Sequence, residues 1–395
     1  MKTPNPLPRL ILAALFCIAA AAPSVTWDKA NQAGLEALRA GHQAEAEKQL
    51  AAALKEAETF GPADARLGTS LNNLASLYDT QARYDQAEPL YKRALAIREK
   101  TLGAEHAEVA VTLNNLADLY RVQGKFNLAE PLYKRALAIK EKALGPEHAN
   151  LATTLSNLAE LYRAQEKHDL AEPLYKRALA ITEKALGSDS PAIALCADNL
   201  ASLYFTQEKY DLAEPLYKRA LAITEKSLGA EHANTGILVG SLGDLYRAQG
   251  KYELAAPLYK RAMVIAEATL GQDNPDLAPR LNNLAVTYKA LKKYDLAEPL
   301  YRRALAITEK ALGAENRGVA TALNNLAMLY QAQAKYDLAE PLHKRALAIK
   351  EKTLGPDHPS VATSLENYAE LLKATRRPAE AAAMLKRAEA IRVKK

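Results

Sequence analysis

Cysteine is nearly absent from this chain: among 395 residues there are two, Cys17 and Cys196. A disulfide framework of the kind that staples small exported domains is thereby excluded. Aromatic residues are scarce at 6%, although 49% of the residues are hydrophobic, so alanine and leucine supply most of the apolar side chains. With 25% charged residues, that mixture favours helices, because Ala, Leu, Lys, Glu and Arg have the highest intrinsic propensities. No block of like charge and no long Ser/Gly tract is present, which removes the usual signature of a disordered tail. A glycine-rich phosphate loop, a nucleophile elbow and a His-Glu-x-x-His metal helix are all missing. The chain therefore offers no catalytic residue, no metal site and no cofactor site. Its net charge of +6 is mild for this length, and no nucleic-acid partner is expected.

An apolar run long enough to span a bilayer is missing too. The stretch Leu10 to Ala22 falls short of the ~20 residues a membrane helix needs. Lys2 and Arg9 precede it and small residues follow, the layout of a secretory signal peptide. Cleavage after Ser24 fits best, so residues 1–24 are read as a leader and the mature chain as periplasmic or extracellular. Membrane tethering is expected only if the leader stays uncleaved. Once it is removed, Cys196 is the remaining thiol. Its apolar neighbours Ile193, Leu195 and Leu200 mark it as buried and inert.

What is present is repetition. A Leu-Gly pair ends at Gly103, Gly145, Gly187, Gly229, Gly271, Gly313 and Gly355, always 42 residues apart. The segment Leu71-Asn72-Asn73-Leu74-Ala75 recurs at the same interval from Leu113, Leu155, Ala197, Val239, Leu281, Leu323 and Leu365. An Ala-Glu-Pro-Leu-Tyr-Lys-Arg-Ala-Leu segment recurs from Ala87 to Ala339, and in degraded form from Ala381. Self-similarity at a fixed period marks a repeat array, in which each unit buries its apolar face only against its neighbours. Eight such repeats fill residues 65–395. Residues 25–64 look like a further helix pair, more charged, as a terminal cap facing water needs. There Ala46, Leu50, Ala53 and Leu54 mimic a second helix, and Phe60-Gly61 takes the Leu-Gly position.

Within the first repeat, Leu71, Leu74, Ala75, Leu77 and Tyr78 fall at helical spacing and give a first helix one apolar face. A turn follows at Gln81-Ala82-Arg83-Tyr84. Two later repeats place glycine there, Gly124 and Gly250, as a helix end prefers. Asp85 is placed to cap a second helix, with Glu88 three residues on completing a capping box. Pro89 then falls in the first turn, where a missing N–H costs little. Ala87, Leu90, Tyr91, Ala94, Leu95 and Ile97 form the buried face, and Gly103 ends the helix.

The order Leu-x-x-Leu-Ala-x-x-Tyr, then Tyr, Ala, Tyr and Ala, resembles the tetratricopeptide signature. The 42-residue period with Asn-Asn-Leu-Ala and Glu-Pro-Leu-Tyr-Lys-Arg-Ala-Leu is similar to the kinesin light chain subtype. The ordinary repeat has about 34 residues, and the extra length is about one added turn on each helix. The resemblance implies an all-α, right-handed superhelical solenoid of tandem two-helix repeats whose first helices line a concave groove. It also implies that paired asparagines, and their neighbours one turn on, contact an extended peptide. By position the inner asparagines are Asn73, Asn115, Asn157, Asn199, Asn283, Asn325 and Asn367. The adjacent ones are Asn72, Asn114, Asn282 and Asn324, and Arg121, Arg163 and Arg247 follow one turn further.

An amide suits that task, since it offers two donors and an acceptor and grips a backbone without demanding a side chain. The competing reading is that the inner asparagine bridges helices and meets no ligand. Asparagine is a poor helix former, so its recurrence in mid-helix has one cause or the other, or is copied by duplication. In the first repeat, Thr69, Asn72, Asn73, Ser76, Asp79 and Thr80 point away from the Leu/Ala/Tyr face. Further on, Lys289 adds positive charge and Asp118, Glu160 and Asp244 negative. Gly240 and Ser241 interrupt the asparagine pairs, and Val286 and Met328 make a more apolar patch.

His106, His148, His232 and His358 share one repeat phase. Consecutive repeats set such residues about 20 Å apart, as two helix layers, far beyond the ~2.1 Å reach of a zinc ligand. Loop capping is expected of them instead. The Lys-Arg pairs from Lys92-Arg93 to Lys386-Arg387 are read as ion-paired with acids such as Glu88, four residues earlier, a pattern that Ala256 and Ala382 break in two repeats. The function expected is a non-catalytic scaffold binding a peptide segment or partner protein in its groove. The alternatives are a structural, oligomeric component of a cell-envelope assembly and a regulatory module acting on another chain.

Overall fold

The computed structural model describes residues 25–393, so the expected leader lies outside the described residues. Those residues form eighteen α-helices and no strand, the expected all-α class. The helices follow one another as α1 (Val25–Arg39), α2 (Gln43–Thr59), α3 (Ala65–Thr80), α4 (Tyr84–Leu102), α5 (Ala107–Val122) and α6 (Phe126–Leu144). Next come α7 (Ala152–Ala164), α8 (His168–Leu186), α9 (Pro191–Thr206), α10 (Tyr210–Leu228), α11 (Ala233–Ala248) and α12 (Tyr252–Leu270). The last are α13 (Leu277–Ala290), α14 (Tyr294–Leu312), α15 (Arg317–Ala332), α16 (Tyr336–Leu354), α17 (Pro359–Ala374) and α18 (Pro378–Val393). They fall into two units, the first ending at Lys209 after α9 and the second starting at Tyr210 with α10. Inside each unit the even helix folds back on the odd one before it and packs on the odd one after it.

Alanine makes this packing possible. Ala75, Ala87 and Ala94 are fully buried, as are Ala327, Ala339 and Ala346, so the helix axes meet with no bulky side chain between them. The larger groups fill the seam between hairpins: Val319, Ala320 and Leu323 of α15 pack with Ala346 and Ile349 of α16 and with Leu305 of α14. Cys196 is buried with its Sγ 3.7 Å from Thr182 Oγ1, and burial pushes its thiol up.

The capping expectation is met at or just ahead of most odd helices, fails at Ser190 before α9, and breaks at α4. Asp64, His106, His148, His232, Asn274, Asn316 and His358 each accept a hydrogen bond from the backbone N–H two residues on. In the histidines Nδ1 is the acceptor, so Nε2 carries the ring proton. Asp85, by contrast, is not a cap. Helix α4 starts at Tyr84 with Arg83 ahead of it and no side-chain cap. Arg83 N–H already closes on Tyr78 C=O at 2.8 Å while Ala82 N–H closes on Asp79 C=O at 3.0 Å, a Schellman pair that runs directly into the next helix. Asp85 therefore lies inside the first turn, where it complements the helix dipole. Pro89 falls in the second turn, not the first. Both Asp85 and Pro89 are exposed, so the carbonyl that loses its helical partner is left to water.

The two kinds of turn treat glycine differently. Between odd and even helices the turn residue is left-handed, with φ 58° at Ala82, 60° at Glu166 and 57° at Lys292. An L-residue reaches that region at a cost of about 1 kcal/mol, so glycine is optional. After the even helices, Gly187 has φ 76° and ψ 167°, a region essentially closed to side chains. Hence the Leu-Gly pair persists while Gly124 and Gly250 have many substitutes. Gly187→Ala is expected to destabilise the chain by about 1–3 kcal/mol, whereas Glu166→Gly is neutral or stabilises by up to about 0.5 kcal/mol. Thermal and urea unfolding of the two variants measure the contrast.

Candidate functional site

The asparagines of the odd helices bond to one another across the seam between repeats. In the first unit Asn73 Nδ2 donates to Asn31 Oδ1 at 2.9 Å and Asn115 Nδ2 to Asn72 Oδ1 at 3.3 Å. In the second unit Asn325 Nδ2 donates to Asn282 Oδ1 at 2.7 Å and Asn367 Nδ2 to Asn324 Oδ1 at 3.3 Å. Asn283 donates to Asp244 at 3.4 Å. In the four asparagine–asparagine bonds the inner asparagine of one repeat donates to an asparagine of the preceding one, whereas the buried Oδ1 of Asn114 has no partner. Asn72, Asn114 and Asn324 are buried, and so is Asp79, which corrects the expectation that these positions face open solvent. The inner ones, Asn73, Asn115, Asn157, Asn199, Asn283 and Asn325, are half-buried. Each rung uses one N–H of its donor, so a second N–H and the carbonyl remain for another partner.

One turn on, the arginines are not free charges either. Arg121 Nη2 lies 2.7 Å from Asp118 and Arg163 Nη2 lies 2.6 Å from Glu160. Arg247 is 3.6 Å from Asp244. A tyrosine from the even helix of the same hairpin completes each group. Tyr133 donates to Asp118 at 3.2 Å, Tyr175 to Glu160 at 2.8 Å and Tyr259 to Asp244 at 2.5 Å. Burial weighs against charge on Arg121, but Asp118 and the Tyr133 hydroxyl outweigh it and hold the guanidinium above its usual range. Arg163 is held up first by its hydrogen bond to Glu160. These tyrosines escaped the sequence reading, which took them as packing groups. Their signal is a constant offset of twelve residues from the arginine.

The Lys-Arg pairs are consumed by acids, as expected, with an added division of labour. The lysines that follow a glutamate pair within their own helix, as Lys134 does with Glu130 at 2.7 Å and Lys344 with Glu340 at 2.8 Å, while Lys260 and Lys386 follow Ala256 and Ala382 and lack that acid. Each arginine reaches back to the preceding repeat, as Arg135 does to Glu99 at 2.6 Å and Arg261 to Glu225 at 2.6 Å. Glu88 also accepts from Tyr120 of the next hairpin at 3.0 Å. The side chains of the even helices thus tie neighbours together and leave no continuous basic stripe.

The tetratricopeptide repeat pattern matches seven stretches, residues 30–100, 66–142, 108–184, 150–226, 190–268, 236–310 and 318–392. The chain belongs to the tetratricopeptide repeat family. Such arrays are protein–protein interaction scaffolds. Among solved structures, a Podosopora anserina chain described as a kinesin light chain with nearly identical repeats is 27% identical, with a TM-score of 0.49 over 52% of this chain and 98% of that one. The apo form of RapI is 14% identical with a TM-score of 0.67, covering 93% of this chain and 98% of that one. A Rap protein complexed with competence and sporulation factor is 17% identical with a TM-score of 0.55, covering 94% and 99%. No curated protein matches the chain. No helix among the described residues is long and apolar enough to cross a membrane, and no cluster of His, Cys, Asp or Glu among them is arranged to hold a metal.

In this tetratricopeptide array the arginine–acid–tyrosine pattern is complete in three of the eight repeats; the first and fourth hold Ser76 and Ser202 at the acid position, and the eighth holds Leu385 at the tyrosine position. In α13–α14 the acid position holds Val286, and the buried Tyr301 hydroxyl has no hydrogen-bond partner. In α16 the tyrosine is replaced by His343, stacked at 6.1 Å on Tyr368 with Nε2 3.4 Å from Gln331 Oε1. Tyr175→Phe is expected to cost about 1.5–3 kcal/mol, because it removes a hydrogen bond to a carboxylate. Tyr301→Phe should cost nothing, since no bond is lost; chemical denaturation of both variants provides the comparison.

Burial pushes the His343 imidazole down from 6.5 to about 4. The unfolded chain therefore takes up this proton first, and stability that is full above pH ~6.5 is lost as the pH falls toward 4. Wild type is expected to lose about 2 kcal/mol more than His343→Tyr between pH 7 and pH 5, a difference that melts across that range will register.

Proposed function

We propose that the chain is a scaffold that holds an extended segment of a partner protein along the exposed side of its odd helices, by hydrogen bonds to the segment's backbone. The observation that carries this reading is the rung of amides. Asn73, Asn115, Asn283 and Asn325 are each held by one side-chain bond. Each keeps a donor and an acceptor in a fixed orientation, so little rotamer entropy is lost when a ligand binds. An extended backbone presents alternating N–H and C=O groups, which is what such amides satisfy. A Rap protein of the same fold forms a complex with competence and sporulation factor. That likeness concerns the fold, and the weight rests on the amides. The leader-like residues 1–24 support action outside the cytoplasm, in the periplasm or beyond.

The test is retention of the purified chain on an array of degenerate, extended peptides. Asn325→Ala removes one rung and is expected to lower the melting temperature slightly, by about 1 kcal/mol of stability, while lowering peptide retention about tenfold. Retention that falls only in step with the melt would reassign the asparagine as purely structural.

A second reading, a structural component of an envelope assembly, is favoured by a row of exposed leucines at one repeat position. Leu128 and Leu170 in the first unit, and Leu212, Leu254, Leu296 and Leu338 in the second, are each 45–50% exposed. Recurrent exposed apolar side chains are a surface for association. Light scattering decides between the readings: a monomer at working concentrations removes this one.

A further inference from the structure

The groups formed by Asp118–Arg121–Tyr133, Glu160–Arg163–Tyr175 and Asp244–Arg247–Tyr259 can be compared with the same register in α13–α14. There the cation is Lys289 and the phenol is Tyr301, but the acid position is Val286. No carboxylate comes from the next repeat either. Arg121 also feels Glu160 of the following hairpin, whereas the residue in that place beyond Lys289 is Met328. The other polar groups around this register are already engaged. Asp244 of α11 is taken by Tyr259 and Asn283, and Gln331 of α15 lies against His343. Lys289 is half-buried, and burial holds its ammonium below the ordinary lysine range with no acid to oppose it. Tyr301 is 2% exposed with an unpartnered hydroxyl. The hairpin thus keeps the two donors of the motif and has lost the acceptor.

We propose that Lys289 and Tyr301 form a recognition point for one carboxylate side chain, an aspartate or glutamate of the bound segment. The proposal rests on the peptide-binding reading above and names the residue class that this position selects. A partly desolvated ammonium and an orphan phenol each cost free energy while unpaired. A carboxylate arriving from a ligand pairs with the half-buried Lys289 ammonium and meets the Tyr301 hydroxyl, sealed from solvent in the free chain, once the Val286 side chain turns aside; it then takes the role Asp244 plays for Arg247 and Tyr259. A glutamine side chain brings an acceptor without charge, and a lysine brings repulsion. The ligand's acid is therefore recognised by what the repeat lacks.

The experiment uses the whole chain and immobilised, extended peptides, degenerate except at one fixed position that is Glu, Gln or Lys. Glu is expected to be retained about tenfold better than Gln, and Lys least. Val286→Asp supplies the carboxylate from inside the repeat; it should erase the preference for Glu and raise the melting temperature. Lys289→Met should erase the preference without that rise. Peptides retained with no preference for Glu over Gln, or a preference that survives Val286→Asp, overturn the carboxylate point and leave the peptide reading standing. Retention of no peptide at all overturns both. A melting temperature lowered by Val286→Asp shows that Lys289 and Tyr301 do not converge on that position, which also defeats the proposal.

Discussion

A hairpin of two helices with one apolar face cannot close a core by itself, and everything in this chain depends on the seam where one hairpin meets the next. Removing apolar surface from water at that seam supplies the driving force. Fully buried alanines bring the helices close, and residues such as Leu323 and Ile349 fill what remains. The polar bonds laid over the seam are each small: an exposed ion pair such as Arg135–Glu99 contributes about 0.2–1 kcal/mol. Their value lies in register. An arginine that finds its glutamate one repeat back, and an asparagine that finds its partner on the adjoining odd helix, both reject a hairpin that slides along its neighbour.

The same seam shapes what the odd helices can present to a ligand. Asparagines in mid-helix are poor choices for helix stability, and here they are held by each other. This fixes their spare donors and acceptors in direction. The arginines one turn on are neutralised by acids of their own helix and steadied by tyrosines from the even helix. On the proposed reading a partner meets these oriented dipoles and, at Lys289, a cation whose acid has been replaced by Val286. On that reading, discrimination between sequences comes from the departures in the repeat, and general affinity from its regularity.

Much of this was legible in the sequence. The 42-residue period placed each helix pair, the small residues marked the close crossings, and the shared phase of His106, His148, His232 and His358 pointed to caps, which is how their Nδ1 atoms are used. Local rules misplaced Asp85 and Pro89, because the Schellman turn at Ala82 feeds the even helix two residues earlier than a capping box at Asp85 would. The bonds between Asn115 and Asn72, or Tyr120 and Glu88, join residues more than thirty positions apart. Composition and periodicity do not contain such pairings; they follow only once the packing of successive hairpins is known. The unpaired Tyr301 hydroxyl was invisible for the same reason. A tyrosine at a packing position looks the same whether or not its oxygen finds an acceptor.

The tyrosine–glutamate link has a constant separation of 32 residues in Tyr120–Glu88, Tyr162–Glu130 and Tyr204–Glu172, and again in Tyr246–Glu214 and Tyr330–Glu298 of the second unit. Joints built to one gauge are interchangeable. A gene that loses or gains a whole 42-residue module rejoins chain ends that already fit, so array length is free to drift by unequal recombination at little energetic penalty. What such an event alters is the order of the exceptional modules along the array, and with it the spacing of the features a partner must match.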